Sequence, residues 1–232
     1  MKIKLIKKQD EARGTKSFFW ETEKPVDYNA GQYYYFTLPK LNYPDPKGAT
    51  RYFTISSSPT EGNLLRLTTR IREVSGYKKT LDELPIGSEI DGEGPNGTFM
   101  FDENEQGSHI FIAGGIGITP FRSMIKYVAD KNLQNPVYLI YSNSDADIAF
   151  KNELDKIVGV HQNIKIQYFN SGTEGHLDEL KIGKFIGNWG LKIENLTWWI
   201  CGPPPMIDAM EQVLGKLKIS TGRVRSEKFT GY

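Results

Sequence analysis

The stretch His109-Ile110-Phe111-Ile112-Ala113-Gly114-Gly115-Ile116-Gly117-Ile118-Thr119-Pro120 narrows the possible folds more than any other part of the chain. Its first five residues form an apolar run with the length of a buried strand, and the glycines after it allow a tight turn. From about residue 120 to residue 128 the apolar positions recur with helical spacing. A buried strand that passes through a glycine turn straight into a helix is the opening unit of a parallel sheet covered by helices. It also aims backbone N–H groups and a helix N-terminus at whatever lies beyond the turn, which suits a phosphate. Glycine clusters at strand ends are common for other reasons, so the neighbouring segments carry the decision.

They continue the pattern. Residues 136–141 read as a second strand, Ser142-Asn143-Ser144-Asp145-Ala146-Asp147 as the loop after it, and residues 148–158 as a helix. A third strand covers residues 164–169, followed by a brief helix near residues 177–182. Residues 198–201 form a strand that stops at Gly202-Pro203-Pro204-Pro205, and residues 206–217 give the longest helix, with Met206, Ile207, Met210, Val213, Leu214 and Leu217 on its apolar face. Sheets of this kind bind ligands beyond the carboxyl ends of their strands. Gly114, Gly115, Gly117, Thr119 and Pro120, then Ser142, Asn143, Ser144 and Asp147, then Cys201, Gly202, Pro203 and Pro204 all fall there and are candidate binding residues.

The first hundred residues read differently. Short runs rich in aromatic and β-branched residues, at 2–8, 16–21, 32–38, 51–57, 64–72 and 88–92, are separated by turn residues and predict an antiparallel barrel or sandwich. Residues 41–50, with Pro44, Pro46 and Gly48, read as a surface loop, and Gly92-Glu93-Gly94-Pro95-Asn96-Gly97-Thr98-Phe99 as a barrel-closing turn. Within Arg51-Tyr52-Phe53-Thr54, strand alternation puts Arg51 and Phe53 on one face and Tyr52 and Thr54 on the other. The guanidinium fork of Arg51 suits a phosphate; an amphipathic strand with a solvated arginine accounts for the same pattern equally well. Ser75-Gly76-Tyr77-Lys78-Lys79-Thr80 leads into a short helical pattern whose N-terminus suits an anion.

Charge and cysteine usage exclude several classes. A net charge of +1 gives no electrostatic case for nucleic acid or an anionic membrane. One cysteine forms neither a disulfide framework nor a thiolate-held iron–sulfur cluster, and the histidines His109, His161 and His176 lack metal-ligand spacing, so no metal site is expected. The N-terminal residues alternate like a strand and not like a signal peptide, and no run is long enough to cross a bilayer. The expected location is the cytoplasm.

Taken in order, these stretches resemble the ferredoxin–NADP(+) reductase family over essentially the whole chain. Arg51-Tyr52-Phe53-Thr54 is similar to its Arg-x-(Tyr/Phe)-(Ser/Thr) flavin motif, and residues 76–80 to its pyrophosphate turn. Gly114-Gly115-Ile116-Gly117-Ile118-Thr119-Pro120 resembles the nicotinamide-nucleotide loop, Cys201-Gly202-Pro203-Pro204 the Cys-Gly-Pro-Pro segment, and Glu227-Lys228-Phe229-Thr230-Gly231-Tyr232 the Glu-x-aromatic ending. The proline at position 120 stands where a dinucleotide fingerprint has its third glycine, so this loop resembles a site that the nicotinamide visits and leaves.

The resemblance implies two domains. Residues 1–104 would be an antiparallel Greek-key β-barrel holding FAD, and residues 105–232 an α/β Rossmann-like domain with a parallel sheet for NAD(P)H and a C-terminal tail over the flavin. By the same resemblance Arg51 contacts the flavin pyrophosphate, Phe53 packs along the cofactor, and Thr54 lies near flavin N5. Gly76, Tyr77, Lys79 and Thr80 hold phosphates, Tyr52 lies beside the cofactor, Cys201 sits near nicotinamide C4, and Glu227 is a polar group at the transfer site. Phe229 is expected to cover the isoalloxazine, with Tyr232 as the other aromatic candidate. Thr54, Cys201 and Glu227 are thus the expected catalytic residues. Phe53 replaces the commoner tyrosine, which removes a hydroxyl from the ribitol. Asp145 and Asp147 follow the second strand without an arginine, a pattern that favours the free ribose diol of NADH over the phosphate of NADPH, although Lys151 leaves NADPH open. The implied activity is transfer of hydride from NAD(P)H to FAD and of electrons to a separate acceptor, a ferredoxin or flavodoxin by family expectation or a small molecule. Two other readings stand beside it: a non-catalytic flavin electron-transfer subunit of a larger complex, and a flavin-free nucleotide-binding module.

Overall fold

The computed structural model describes residues 1–230; Tyr232, one of the two aromatic candidates, lies outside the described residues. Six antiparallel strands come first: β1 (Lys2–Ala12), β2 (Thr15–Thr22), β3 (Tyr33–Thr37), β4 (Thr50–Thr54), β5 (Leu64–Arg70) and, after helix α1 (Gly76–Glu83), β6 (Glu89–Asn96). They are ordered β4-β3-β6-β1-β2-β5, and an antiparallel bridge between Ile55 and Leu67 brings the two ends of the sheet together as a barrel. Alternation does the sorting. Ile3 and Leu5 of β1 are buried while Lys2 and Lys4 are exposed. Phe18, Trp20, Tyr34, Phe36, Leu65 and Leu67 fill the interior, and Tyr77 and Leu81 of α1 plug one end. Ser75 starts α1 by accepting the Lys78 N–H at 3.3 Å.

The segment expected as a barrel-closing turn at residues 92–99 is strand β6 as far as Asn96. Its glycines reflect crowding and not turning. The Tyr34 ring lies across the strand, and a Cβ on Gly94 would stand 2.5 Å from Tyr34 Cδ2.

The second half holds five parallel strands: β7 (Ser108–Gly114), β8 (Val137–Asn143), β9 (Ile164–Asn170), β10 (Leu196–Gly202) and β11 (Val224–Lys228), in the order β11-β10-β7-β8-β9. Helices α2 (Ile118–Asp130), α3 (Lys151–Val160), α4 (Ser171–Glu174), α5 (Glu179–Asn188) and α6 (Pro204–Lys216) connect them. The helix expected near residues 177–182 is α5, ten residues long and not brief and preceded by the single turn α4, and α6 shares its length of 13 residues with α2. The C-terminal tail is not merely a cover: β11 is an edge strand in register with β10, which sets Glu227 opposite Cys201. Among the described residues no helix is long and apolar enough to cross a membrane.

Helix α2 is covered on both sides. One face packs on the parallel sheet through Phe121, Met124, Ile125 and Val128. The other meets the barrel, where Ser123 Oγ donates to the Ser57 carbonyl at 2.6 Å and Arg122 donates to the Ser56 carbonyl at 2.9 Å. Arg122, 3% exposed, also donates to Glu61 and Glu153; Glu153 accepts from Arg66 at 3.2 Å, and Arg66 donates to Glu11 at 2.6 Å and to Ser17 Oγ at 2.9 Å. Two arginines and three carboxylates thus lie at the junction between the two sheets. Removing one member of a buried charge network leaves the others uncompensated, at a cost of about 3–5 kcal/mol. Arg122→Leu is expected to lower the unfolding free energy by about that amount in urea titrations, and adding Glu153→Leu is expected to restore part of the loss; a single-variant effect below about 1 kcal/mol would show that the network adds no stability.

Candidate functional site

Two cavities open where the barrel meets the carboxyl ends of β7, β8 and β10. The first, about 290 Å³, is lined by Gly114, Gly115 and Ile116 on one side and by Ser142, Asn143, Ser144, Asp145 and Asp147 on another. Pro203, Met206 and His176 complete the α/β wall, and Arg13 and Arg70 come from the barrel. The second is a narrow slot of about 60 Å³ between the barrel and the C-terminal segment. Arg51, Tyr52, Phe53 and Thr54 of β4, Thr68 and Thr69 of β5, Lys78 of α1, Thr119, Phe229 and Thr230 line it. Ile116 lines both cavities, so they meet at the residue between the two glycines.

Backbone contact makes that meeting possible. A Cβ on Gly117 would lie 2.2 Å from the Cys201 carbonyl oxygen, so the loop after β7 presses directly on the end of β10. Pro120, buried in the first turn of α2, continues the helix without needing its missing N–H. The Phe229 N–H donates to the Gly202 carbonyl at 3.0 Å and continues the β10–β11 ladder to the slot.

Several expected residues are placed otherwise than their spacing implied. Lys79 pairs with Glu73 at 3.5 Å and lies over the Tyr43 ring, and it does not line the slot. The Thr80 hydroxyl donates to the Gly76 carbonyl and accepts the Asn42 N–H, which ties loop to helix. Lys78, which the sequence reading passed over, is the lysine on the slot; it is 5% exposed, and burial, then Arg72, Arg51 and Lys47, push its amine down to about 8. Asp147 accepts the Arg13 N–H at 2.7 Å, so its carboxylate already pins the β1–β2 turn, whereas Asp145 stands exposed on the same cavity. Gly202 and Pro204 lie beside the first cavity without lining it, next to Pro203, which does. Arg13 and Arg70 had no motif to reveal them; only the packing of the barrel against the α/β half brings them in.

Cys201 is fully buried in the core with Ala113 and Ile118 and lines neither cavity. Burial, with the Glu227 carboxylate opposite, pushes its thiol well up, so it stays protonated and acts as a small polarizable group. Glu227 Oε2 is buried without a hydrogen-bond partner among the described residues, and burial raises the carboxyl to about 7. The slot therefore offers an aromatic and threonine-lined channel with Arg51 and Lys78 on its wall. Those residues fit a flavin: ring surface against Phe53 and Phe229, hydroxyls for heteroatoms, and Arg51 and Lys78 for phosphate.

The Glu227 carboxyl binds its proton more tightly folded than unfolded. Its contribution to stability is complete below about pH 4.5 and is lost as the pH rises through about 7. Glu227→Gln keeps the shape and removes the titration. Relative to wild type, the variant is expected to gain up to roughly 3 kcal/mol of unfolding free energy between pH 4.5 and pH 8; a difference that does not change with pH would show an ordinary carboxyl.

Comparison with known proteins agrees with this geometry. Residues 2–101 match the oxidoreductase FAD-binding domain and residues 111–212 the oxidoreductase NAD-binding domain. The phenol hydroxylase P5 protein of Acinetobacter pittii is 27% identical over 97% of this chain and 64% of its own length. NADH-cytochrome b5 reductase 1 of Mortierella alpina is 30% identical over 72% of this chain and 58% of its own. The chain thus spans about three fifths of the length of these curated relatives. The solved ferredoxin-NADP+ reductase of Plasmodium falciparum superposes with a TM-score of 0.79 at 24% identity, covering 98% of this chain and 95% of that one. With an FAD-binding barrel joined to an NAD-binding parallel sheet, the chain belongs to the ferredoxin–NADP(+) reductase-like family.

Proposed function

We propose that this chain is an NADH-oxidising flavin reductase module that passes electrons to an acceptor outside the chain, a ferredoxin- or flavodoxin-type protein. The observation that carries the proposal is the shared wall at Ile116: a dinucleotide in the larger cavity and a flavin in the slot would meet there. When bound, FAD would supply the redox chemistry, a carrier for the two electrons and one proton of a single hydride.

The chain's residues have binding and positioning work. Thr54, 5% exposed at the end of β4, lines the slot, where its hydroxyl would face the flavin ring. Phe53 supports the cofactor from the barrel, and Phe229 shields the other face from water until the nicotinamide stacks. The Phe229 backbone stays on Gly202, so the shield moves by its side chain while its anchor holds. Cys201, fully buried and uncharged, backs the end of β10 without lining either cavity, and Glu227, opposite it in register, would keep its proton up to about pH 7 because of burial. Gly114 and Gly115, with the first turn of α2 behind them, receive the dinucleotide phosphates.

Coenzyme choice falls to Asp145. With Asp147 committed to the Arg13 N–H, Asp145 is the carboxylate left for the ribose diol, and it repels a 2′-phosphate. An acceptor in the form of a small electron-transfer protein has support in the names of two relatives, a cytochrome b5 reductase and a ferredoxin-NADP+ reductase. The experiment is a flavin spectrum of protein supplemented with FAD, followed by turnover with NADH and NADPH on ferricyanide. A bound yellow flavin and at least about tenfold preference for NADH in kcat/KM, equal to about 1.4 kcal/mol, are expected. Asp145→Arg is expected to reverse the preference. Protein that takes up no flavin sinks the proposal, and a clear preference for NADPH sinks its coenzyme half.

A further inference from the structure

Arg51 stands on the flavin slot, yet its guanidinium is engaged by its own loop. Nη1 donates to the carbonyls of Lys47 at 2.7 Å, Gly48 at 3.0 Å and Thr50 at 2.7 Å. Nη2 donates to the Asp45 carboxylate. That carboxylate, 6% exposed, also accepts the Tyr77 N–H at 3.0 Å, the Ser75 hydroxyl at 3.1 Å and the Lys47 N–H at 3.0 Å. Asp45 thus sits on the first turn of α1 with the donors that an anion there would take.

Two further N–H groups of that turn are taken as well. The Lys78 N–H reaches Ser75 Oγ at 3.3 Å and the Lys79 N–H reaches the Ser75 carbonyl at 3.0 Å. The main chain closes over it: a Cβ on Gly76 would lie 2.4 Å from the Pro44 carbonyl oxygen and 2.6 Å from that of Tyr43. Gly76 therefore admits the loop, and does not leave a bay for phosphate. Asp45 lines neither cavity, so it lies behind Arg51 as seen from the slot. At the slot itself the positive charge comes from the exposed edge of Arg51 and from the Lys78 side chain, third residue of α1 and nearly fully buried.

We propose that Asp45 is a built-in anion occupying the α1 N-terminus and bracing Arg51, and that the phosphate of the flavin is held chiefly by the Lys78 side chain. The proposal rests on the flavin-binding reading and assigns residues within it. Lys78 is a binding residue; Asp45 is a positioning residue, since it faces Arg51 and the helix and not the slot. The physical reason is exclusion. Two anions cannot both take the Tyr77 N–H, the Ser75 hydroxyl and the Nη2 side of Arg51, and the carboxylate is tied to all three and to the Lys47 N–H within the chain.

The test is equilibrium binding to flavin-free protein, read by quenching of flavin fluorescence, with FAD and with riboflavin, which has the same ring system and no phosphate. Lys78→Met keeps the length of the stem and is expected to weaken FAD by at least about thirtyfold while leaving riboflavin within about twofold. Lys78→Arg is expected to recover most of the FAD affinity. Asp45→Asn is expected to weaken FAD severalfold by loosening Arg51, and far-ultraviolet circular dichroism with urea titration checks that each variant is folded. The opposite pattern, Asp45→Asn binding FAD more tightly and faster while Lys78→Met binds like wild type, would mean that phosphate displaces Asp45 and overturns the proposal. A Lys78→Met variant that loses FAD and riboflavin equally overturns the phosphate role as well. Wild-type protein that binds neither ligand overturns the flavin reading itself, and is told apart from those results by the wild-type titration alone.

Discussion

The missing side chain at Gly117 is what lets the two cavities meet. With the loop backbone against the Cys201 carbonyl, Ile116 is carried to the boundary between the larger cavity and the narrow slot. The same strand end, one residue on, holds the Phe229 N–H through the Gly202 carbonyl and so fixes the aromatic shield. One backbone approach therefore registers three things: the nicotinamide loop, the cysteine strand and the C-terminal edge strand. A methyl group at position 117 would separate them all at once, because the obstacle is main chain and cannot rotate away.

Electrostatics divide the site in a way that the fold alone does not require. At the flavin end the chain pairs its own carboxylate with the arginine and helix start and leaves a buried lysine at the slot. At the dinucleotide end the cations, Arg13 and Arg70, belong to the barrel, while the acidic residues Asp145 and Asp147 belong to the loop after β8. The larger cavity is thus walled by both halves of the molecule, with cations from one sheet facing carboxylates from the other. Glu227 Oε2, opposite Cys201 in register, is buried without a hydrogen-bond partner among the described residues, a costly arrangement for a polar atom.

Much of this could be read from the residues. Alternation marked the barrel strands, and the glycine run marked the central strand and its turn, because both signals depend on local geometry and burial. Strand β11 was invisible for a physical reason: Val224-Arg225-Ser226-Glu227-Lys228 is a polar edge strand, held by pairing with β10 and not by an apolar face. Gly92 and Gly94 signalled a turn because turn glycines and glycines crowded by an aromatic ring look alike in a sequence. Lys78 and Lys79 differ only in helical phase, about 100° of rotation, and a short helix with few apolar residues does not fix that phase in advance. Nothing in the sequence singled out Arg122, because the barrel that buries it is distant along the chain.

Helix α2 has no solvent face over its first two turns, and that has a consequence for cooperativity. By pattern the chain divides into a barrel and an α/β unit, yet the helix is core to both: its apolar side completes the parallel sheet, and Arg122 and Ser123 cap the carbonyls of Ser56 and Ser57 in the barrel. Cut apart, the barrel would be left with uncovered carbonyls and Arg66 without Glu153, and the α/β unit with an orphaned arginine on an exposed helix. Neither half keeps a complete set of partners, so the thermodynamic unit is the whole chain, and the boundary that is so clear in the hydrophobic pattern is not a seam along which the molecule comes apart.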